Sequence, residues 1–254
     1  MSERPEDSVL HAAPRVNRLS DSIYELYNPG ASSRLNVVFF HGLQLSDNSD
    51  SHLSTWTSRG SQQEVWPMTW LPEEFPEARI LCVNYDSCIR RSAEHGRLDL
   101  HNAAEMLMVN LKLARVFQHP TILIGHSYGG LVIKQLCLEA HTWRHIGDDG
   151  EDAWVLESTR PYMGEEGEDA SVLNCIKGVF FYGTPHHGSS VFSTIIDLKD
   201  ASLLLDFVHV LCAVSARLHQ IFDSLRWTHK WRIAGVGELK PTLTPTLTPV
   251  SECG

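Results

Sequence analysis

No stretch of the 254-residue chain reaches the roughly 18 consecutive apolar residues that a helix needs to cross a bilayer. The amino terminus, Met1 to Val16, is charged and lacks an apolar core segment, which excludes the pattern of a secretory signal. Cysteine is sparse. Cys82, Cys88, Cys137, Cys175, Cys212 and Cys253 form no CxxC pair and no Cys/His cluster at zinc spacing, so they read as free thiols rather than a disulfide framework or a metal site. Basic charge is also short, at 21 Lys and Arg against 31 Asp and Glu. A net charge of −10 repels phosphate backbones and anionic headgroups, which argues against a nucleic-acid partner. Nothing in the pattern calls for a cofactor.

What remains is an ordinary globular balance, 43% hydrophobic and 20% charged, in a length that suits one large domain. Residues 1–20 read as a loosely held leader, 21–240 as the domain and 241–254 as a Pro/Thr-rich tail that repeats TLTP and cannot pair as a central strand. Short apolar runs at Val37 to Phe40 and Arg79 to Tyr85 predict buried strands of a parallel sheet, and Thr121 to Ile124, Ile176 to Tyr182 and Trp231 to Val236 predict further strands of it. Between them, apolar residues at 100, 103, 104, 107, 111 and 114 mark one face of a helix expected to end near Pro120. A second helix follows Gly130, and a third is expected over about 192–225. The segment WPMTWLPEEFP reads as a rigid, packed connection. Strand and helix alternate, which implies right-handed crossovers and a doubly wound α/β sheet. Residues 147–170 carry nine acids and one base and read as a solvated insertion.

The chemistry concentrates at Gly125-His126-Ser127-Tyr128-Gly129, a GxSxG motif directly after an apolar strand and directly before a buried helix. That context predicts a serine nucleophile on a strained turn, with glycines where neighbouring chains leave no room for a Cβ. The backbone N–H of Tyr128 then lies at a helix amino terminus, where peptide dipoles favour negative charge, and supplies one oxyanion donor. The second is expected from the loop after VVFF, with Leu43 preferred and Gly42 next. His41 and His126 read as structural. Asp86 and Ser87 follow another strand at the same edge, as pocket lining or as solvated loop.

VVFFHGL, WPMTWLPEEFPEARILCVNYDS, ILIGHSYGGLVIKQ and GVFFYGTPHHGS occur in this order. Together they resemble the lipase-like α/β-hydrolases of the serine-active-site-containing protein family, over roughly residues 35 to 240. The resemblance implies an α/β-hydrolase fold, Ser127 as nucleophile, and hydrolysis or remodelling of acyl esters or lipids. It also implies association with mitochondrial or endoplasmic reticulum membranes; with no anchor of its own, the chain would be cytoplasmic or peripheral to them.

Triads of this fold run in the chain order serine, acid, histidine. Glu238, after the Trp231 to Val236 strand, is the acid candidate. The last histidine, His229, precedes that strand and would lie about 20 Å from the serine edge, too far for a base. On this reading the last strand, its helix and the base histidine are missing from the chain. His186 and His187, after GVFFY, open at the correct edge, and the resemblance gives them a role in shaping the pocket. Two functions stand open: a serine esterase or lipase impaired by the lack of a base, or a non-catalytic relative that binds a protein or lipid. A partner would use the acidic insertion or an exposed sheet edge.

Overall fold

The computed structural model describes residues 15–44, 50–58, 63–87, 100–146, 168–186, 201–237 and 248–249. The acidic stretch before residue 168, the leader before residue 15 and most of the tail lie outside the described residues. The strands are β1 (Asn17–Arg18), β2 (Ile23–Tyr27), β3 (Leu35–Phe40), β4 (Ala78–Val83), β5 (Thr121–His126), β6 (Ile176–Tyr182), β7 (Arg232–Gly237) and β8 (Thr248–Pro249). They form one sheet in the order β1-β2-β4-β3-β5-β6-β7-β8. β4, β3, β5, β6 and β7 run parallel, while β1, β2 and β8 pair antiparallel at the two margins. The Pro/Thr tail contributes only a two-residue pairing, Val236 with Pro249 and Gly237 with Thr248.

The helices are α1 (Ser51–Ser54), α2 (Trp66–Glu74), α3 (Leu100–Leu113), α4 (Tyr128–Ile146), α5 (Glu168–Cys175) and α6 (Ala201–His229). Parallel neighbours need crossovers, and α2, α3 and α4 supply them between successive strands. One face of the sheet, with Val38, Phe40, Leu81, Leu123 and Phe181, packs on α3, α4, α5 and α6. On α6 that contact uses Leu218, Phe222 and Leu225, the spacing of one helix face. The opposite face, with Val37, Phe39, Ile80 and Cys82, packs on Trp56 and on Trp66, Met68 and Leu71 of α2. Alternation along β3 thus feeds both cores, and the strand is buried from Asn36 to Phe40. The fold class expected from the motifs, a mostly parallel doubly wound α/β sheet of the α/β-hydrolase type, is the one observed.

Two elements differ from expectation. The tryptophan-proline segment is helical. Pro67 sits in the first turn, where its missing N–H needs no partner, whereas Pro72 removes one internal hydrogen bond. Tertiary packing outweighs this poor propensity: Phe39 meets the rings of Trp56 and Trp66 edge-on at 4.9 and 5.4 Å. The helix from Leu100 stops at Leu113, earlier than Pro120 would require, because Arg115 takes a left-handed φ of 57° and a 3-10 turn over Val116–Gln118 follows. That turn is held by Asn36, whose buried side-chain amide donates to the Val116 carbonyl at 2.6 Å.

Lys134 of α4 is an exception within the apolar core. It is 1% exposed, its Nζ lies 3.1 Å from Nδ1 of His219 on α6, and Phe181 and Phe222 flank it. Burial lowers its pKa from 10.5 to about 7, against the opposing pull of Asp223. The native state therefore resists the proton that an unfolded lysine keeps up to pH 10.5, so this group costs stability below pH 7, and the cost vanishes as pH rises towards 10.5. Lys134→Met is expected to raise stability at pH 6.5 by on the order of 2 kcal/mol and to flatten the alkaline rise, as read by urea unfolding across pH 6 to 10.

Candidate active site

Ser127 is the single residue between β5 and α4, and its φ of 50° places it in the left-handed region that a side chain rarely adopts. Its N–H donates to the Tyr182 carbonyl at 2.7 Å, so the end of β6 holds the turn. The glycines around it answer to close backbone approaches. A Cβ on Gly129 would overlap the Phe40 and His41 carbonyls, and one on Gly125 would come 2.7 Å from the Gly130 backbone. The end of β3 therefore lies directly on the first turn of α4.

The loop after β3 crosses beside the serine. A Cβ on Gly42 would come 2.8 Å from His126 Nδ1 and 3.1 Å from Ser127 Cβ. Its carbonyl is fixed from behind, accepting from His41 Nδ1 at 2.9 Å and from the Ser87 hydroxyl at 2.9 Å. Tyr85 completes the support: its ring stacks on His41 at 4.2 Å, its N–H approaches His41 Nε2 at 3.4 Å, and its hydroxyl donates to the His41 carbonyl. With Nδ1 donating and Nε2 accepting, the His41 ring is a neutral tautomer.

Burial is the main reason that His41 has its pKa lowered from 6.5 to about 4, and His52 and His126 nearby lower it further. Burial also lowers the pKa of His126, which lies against Trp56 on the α2 side of the sheet. Tyr128 is buried at the start of α4. His186 lies after β6, edge-on to Phe181 at 4.7 Å and 5.2 Å from the ring of His219. His187 and Glu238 lie outside the described residues. His229 sits at the far end of the sheet, with Asn174 and stacked on Trp231. Of the two polar residues after β4, Asp86 is exposed whereas Ser87 is fully buried.

The sequence assigned no support to Tyr85, and only a position to Ser87. Their partners are backbone carbonyls, which carry no residue-specific signal. The Lys134 and His219 contact was equally hidden, since a lysine in an apolar helix is ordinarily placed at its surface. Among the described residues, His101, Glu105 and Glu139 bring ligand-type atoms together, but the His101 ring is already engaged on both nitrogens, with Glu139 at 2.7 Å and Glu105 at 3.5 Å.

Sheet order, crossovers and the strained serine turn define an α/β-hydrolase fold, and the resemblance read from the motifs is borne out by the curated relatives. The chain is 28% identical over 202 residues to Protein SERAC1 of Homo sapiens, covering 72% of this chain and 27% of that protein. With Protein SERAC1 of Danio rerio it shares 25% identity over 252 residues, 89% of this chain and 34% of the relative. The chain thus spans about a quarter to a third of the relatives it matches. No family model matches it. Among solved structures, the mature lipase BlEst2 of Bacillus licheniformis overlaps with a TM-score of 0.42 at 16% identity, covering 84% of this chain and 69% of that one. The type II thioesterase BorB overlaps with a TM-score of 0.37 at 16% identity, covering 90% and 80%. The fold assignment rests on the strand order and not on these overlaps.

An unfolded chain protonates His41 near pH 6.5, whereas the native chain resists until about pH 4. The stability this difference represents is fully present above pH 6.5 and is lost as pH falls towards 4, by about 3 kcal/mol from His41. His126 adds a loss of the same sign. Urea unfolding at pH 7 and pH 4.5 should show most of this drop, and at pH 5.5 the 15N shifts of the His41 ring should remain those of the neutral Nδ1–H tautomer.

Proposed function

We propose that the chain is a serine hydrolase of acyl esters or lipids in which Ser127 is the nucleophile. The observation that carries the reading is the left-handed Ser127 between a buried strand and a buried helix, with Gly42 packed against its Cβ. On this reading the turn is a nucleophile elbow, and the strain in it presents Oγ above the sheet edge. The Tyr128 N–H, at the amino terminus of α4, and the Leu43 N–H, beyond Gly42, receive the oxyanion of the tetrahedral intermediate. Glu238 directly follows Gly237, the last residue of β7, and is the acid candidate. The chemistry needs no cofactor.

Among the described residues, no imidazole is hydrogen-bonded to the Ser127 hydroxyl. His41 and His126 are committed to the oxyanion loop and the α2 face, and His229 is at the wrong edge. A serine without a hydrogen-bonded base is activated only weakly, and that is the state this reading expects of Ser127. Oxyanion stabilisation and binding alone leave a rate enhancement of about 10³ to 10⁴ over water. No described helix is long and apolar enough to cross a membrane.

A fluorophosphonate probe should label the protein slowly, and Ser127→Ala should abolish the label. Rapid labelling with turnover of a short-chain ester would overturn weak activation, and loss of that turnover in His186→Ala or His187→Ala would locate the base. No labelling of the folded protein would reject the hydrolase reading in favour of a non-catalytic binding module.

A further inference from the structure

We propose that Ser87 is a positioning residue that aims the Leu43 amide at the oxyanion site. The inference deepens the serine-hydrolase reading and rests on it. Ser87 lies beyond the end of β4, on a different loop from Leu43, and is fully buried. It grips the chain on both sides of Leu43. Its hydroxyl donates to the Gly42 carbonyl at 2.9 Å, and its own carbonyl accepts from the Gln44 N–H at 3.0 Å. A single buried serine thereby fixes the residue before Leu43 and the residue after it.

The direction comes from peptide geometry. The described peptide bonds are all trans, and in a planar trans peptide the C=O and the following N–H point in opposite directions. The Gly42 carbonyl turns into the core, where the Ser87 hydroxyl and His41 Nδ1 occupy its two lone pairs. The Leu43 N–H must then point the other way, out of the core, on a loop whose Gly42 already abuts Ser127 Cβ. A peptide flip that turned this N–H inward would strand a buried carbonyl acceptor's two donors at once. The amide is held in its working direction before any substrate arrives, which is the condition for oxyanion stabilisation without reorganisation. Among the described residues, His41 is hydrogen-bonded to the Gly42 carbonyl, whereas Ser87 is hydrogen-bonded both to that carbonyl and to the Gln44 N–H beyond Leu43.

The test uses the labelling reaction as a measure of the oxyanion site. Ser127 Oγ bonds to phosphorus, fluoride leaves, the hydroxyl proton passes to solvent, and the phosphonyl oxygen takes the oxyanion position. Rate constants are compared for the full chain, Ser87→Ala, Ser87→Cys and Ser127→Ala, with melting temperature measured alongside. The Cys variant fills the same volume with a poor donor, so it separates a hydrogen bond from simple packing. Loss of a whole oxyanion donor costs roughly 10² to 10³ in rate, and loss of its orientation alone should cost about tenfold. Both variants are expected to label about tenfold more slowly while staying folded, and the downfield move of the Leu43 amide proton on adduct formation should shrink in each. Wild-type labelling rates in the folded Ser87 variants, with an unchanged Leu43 shift, would overturn the proposal and leave the hydrolase reading standing. A wild-type chain that does not label removes the hydrolase reading, and this proposal with it.

Discussion

The contact on which the rest of the site depends is between backbones: the end of β3 against the first turn of α4. The Phe40 and His41 carbonyls lie where a Cβ of Gly129 would be, and Gly130 leaves equally little room beside Thr184. With the helix start this close to the strand end, the chain between β5 and α4 has one residue in which to reverse direction. Ser127 takes the left-handed conformation because the geometry leaves no other, at a local cost of about 1 to 3 kcal/mol that the surrounding packing offsets. The same closeness brings Gly42 against the serine. Strain at Ser127 and proximity of the Gly42 loop are therefore two results of one constraint.

Much of this is legible in the sequence, since glycine has a steric signature. Gly125, Gly129 and Gly130 around a serine, after a run such as Thr121 to Ile124, announce a turn where chains touch. Strands buried on both faces announce themselves too, as β3 does over Leu35–Phe40. What the sequence hides is support that runs to backbone atoms or overrides propensity. Ser87 looks like any loop serine until its hydroxyl is found on the Gly42 carbonyl. The helix at Trp66–Glu74 is hidden behind two prolines, because its stability comes from rings on Phe39 and Trp56 that are distant in the chain. Arg115 shows the limit from the other side: a left-handed arginine ends a helix that apolar periodicity alone would continue.

The histidines sort by what their surroundings let them do. His41 is deep enough that burial keeps it neutral well below physiological pH, and it donates to one backbone group while receiving another. Such a ring is a fixed connector between strands β3 and β4, with no proton to exchange near pH 7. Burial likewise lowers the pKa of His126, which lies near His41. Among the described residues, His41 and His126 are thus committed to shape.

On the proposed reading, this division separates two halves of a hydrolase site that are often treated as one. Orientation of amides is built from β3, β4, β5 and the start of α4, all within the buried centre of the sheet. Proton transfer, in the order serine, acid, histidine, depends on the chain segments beyond β6 and β7, towards the sheet margin. The first half is rigid because each of its members is held by a neighbour that is itself buried: Leu43 through Gly42 and Gln44, these through Ser87, and His41 through Tyr85. If Tyr128 and Leu43 donate as proposed, a chain that keeps the first half would bind and polarise a carbonyl whether or not the second half moves protons efficiently. That is why the reactivity of Ser127, more than its position, is the property that separates an esterase from a binding module on this fold.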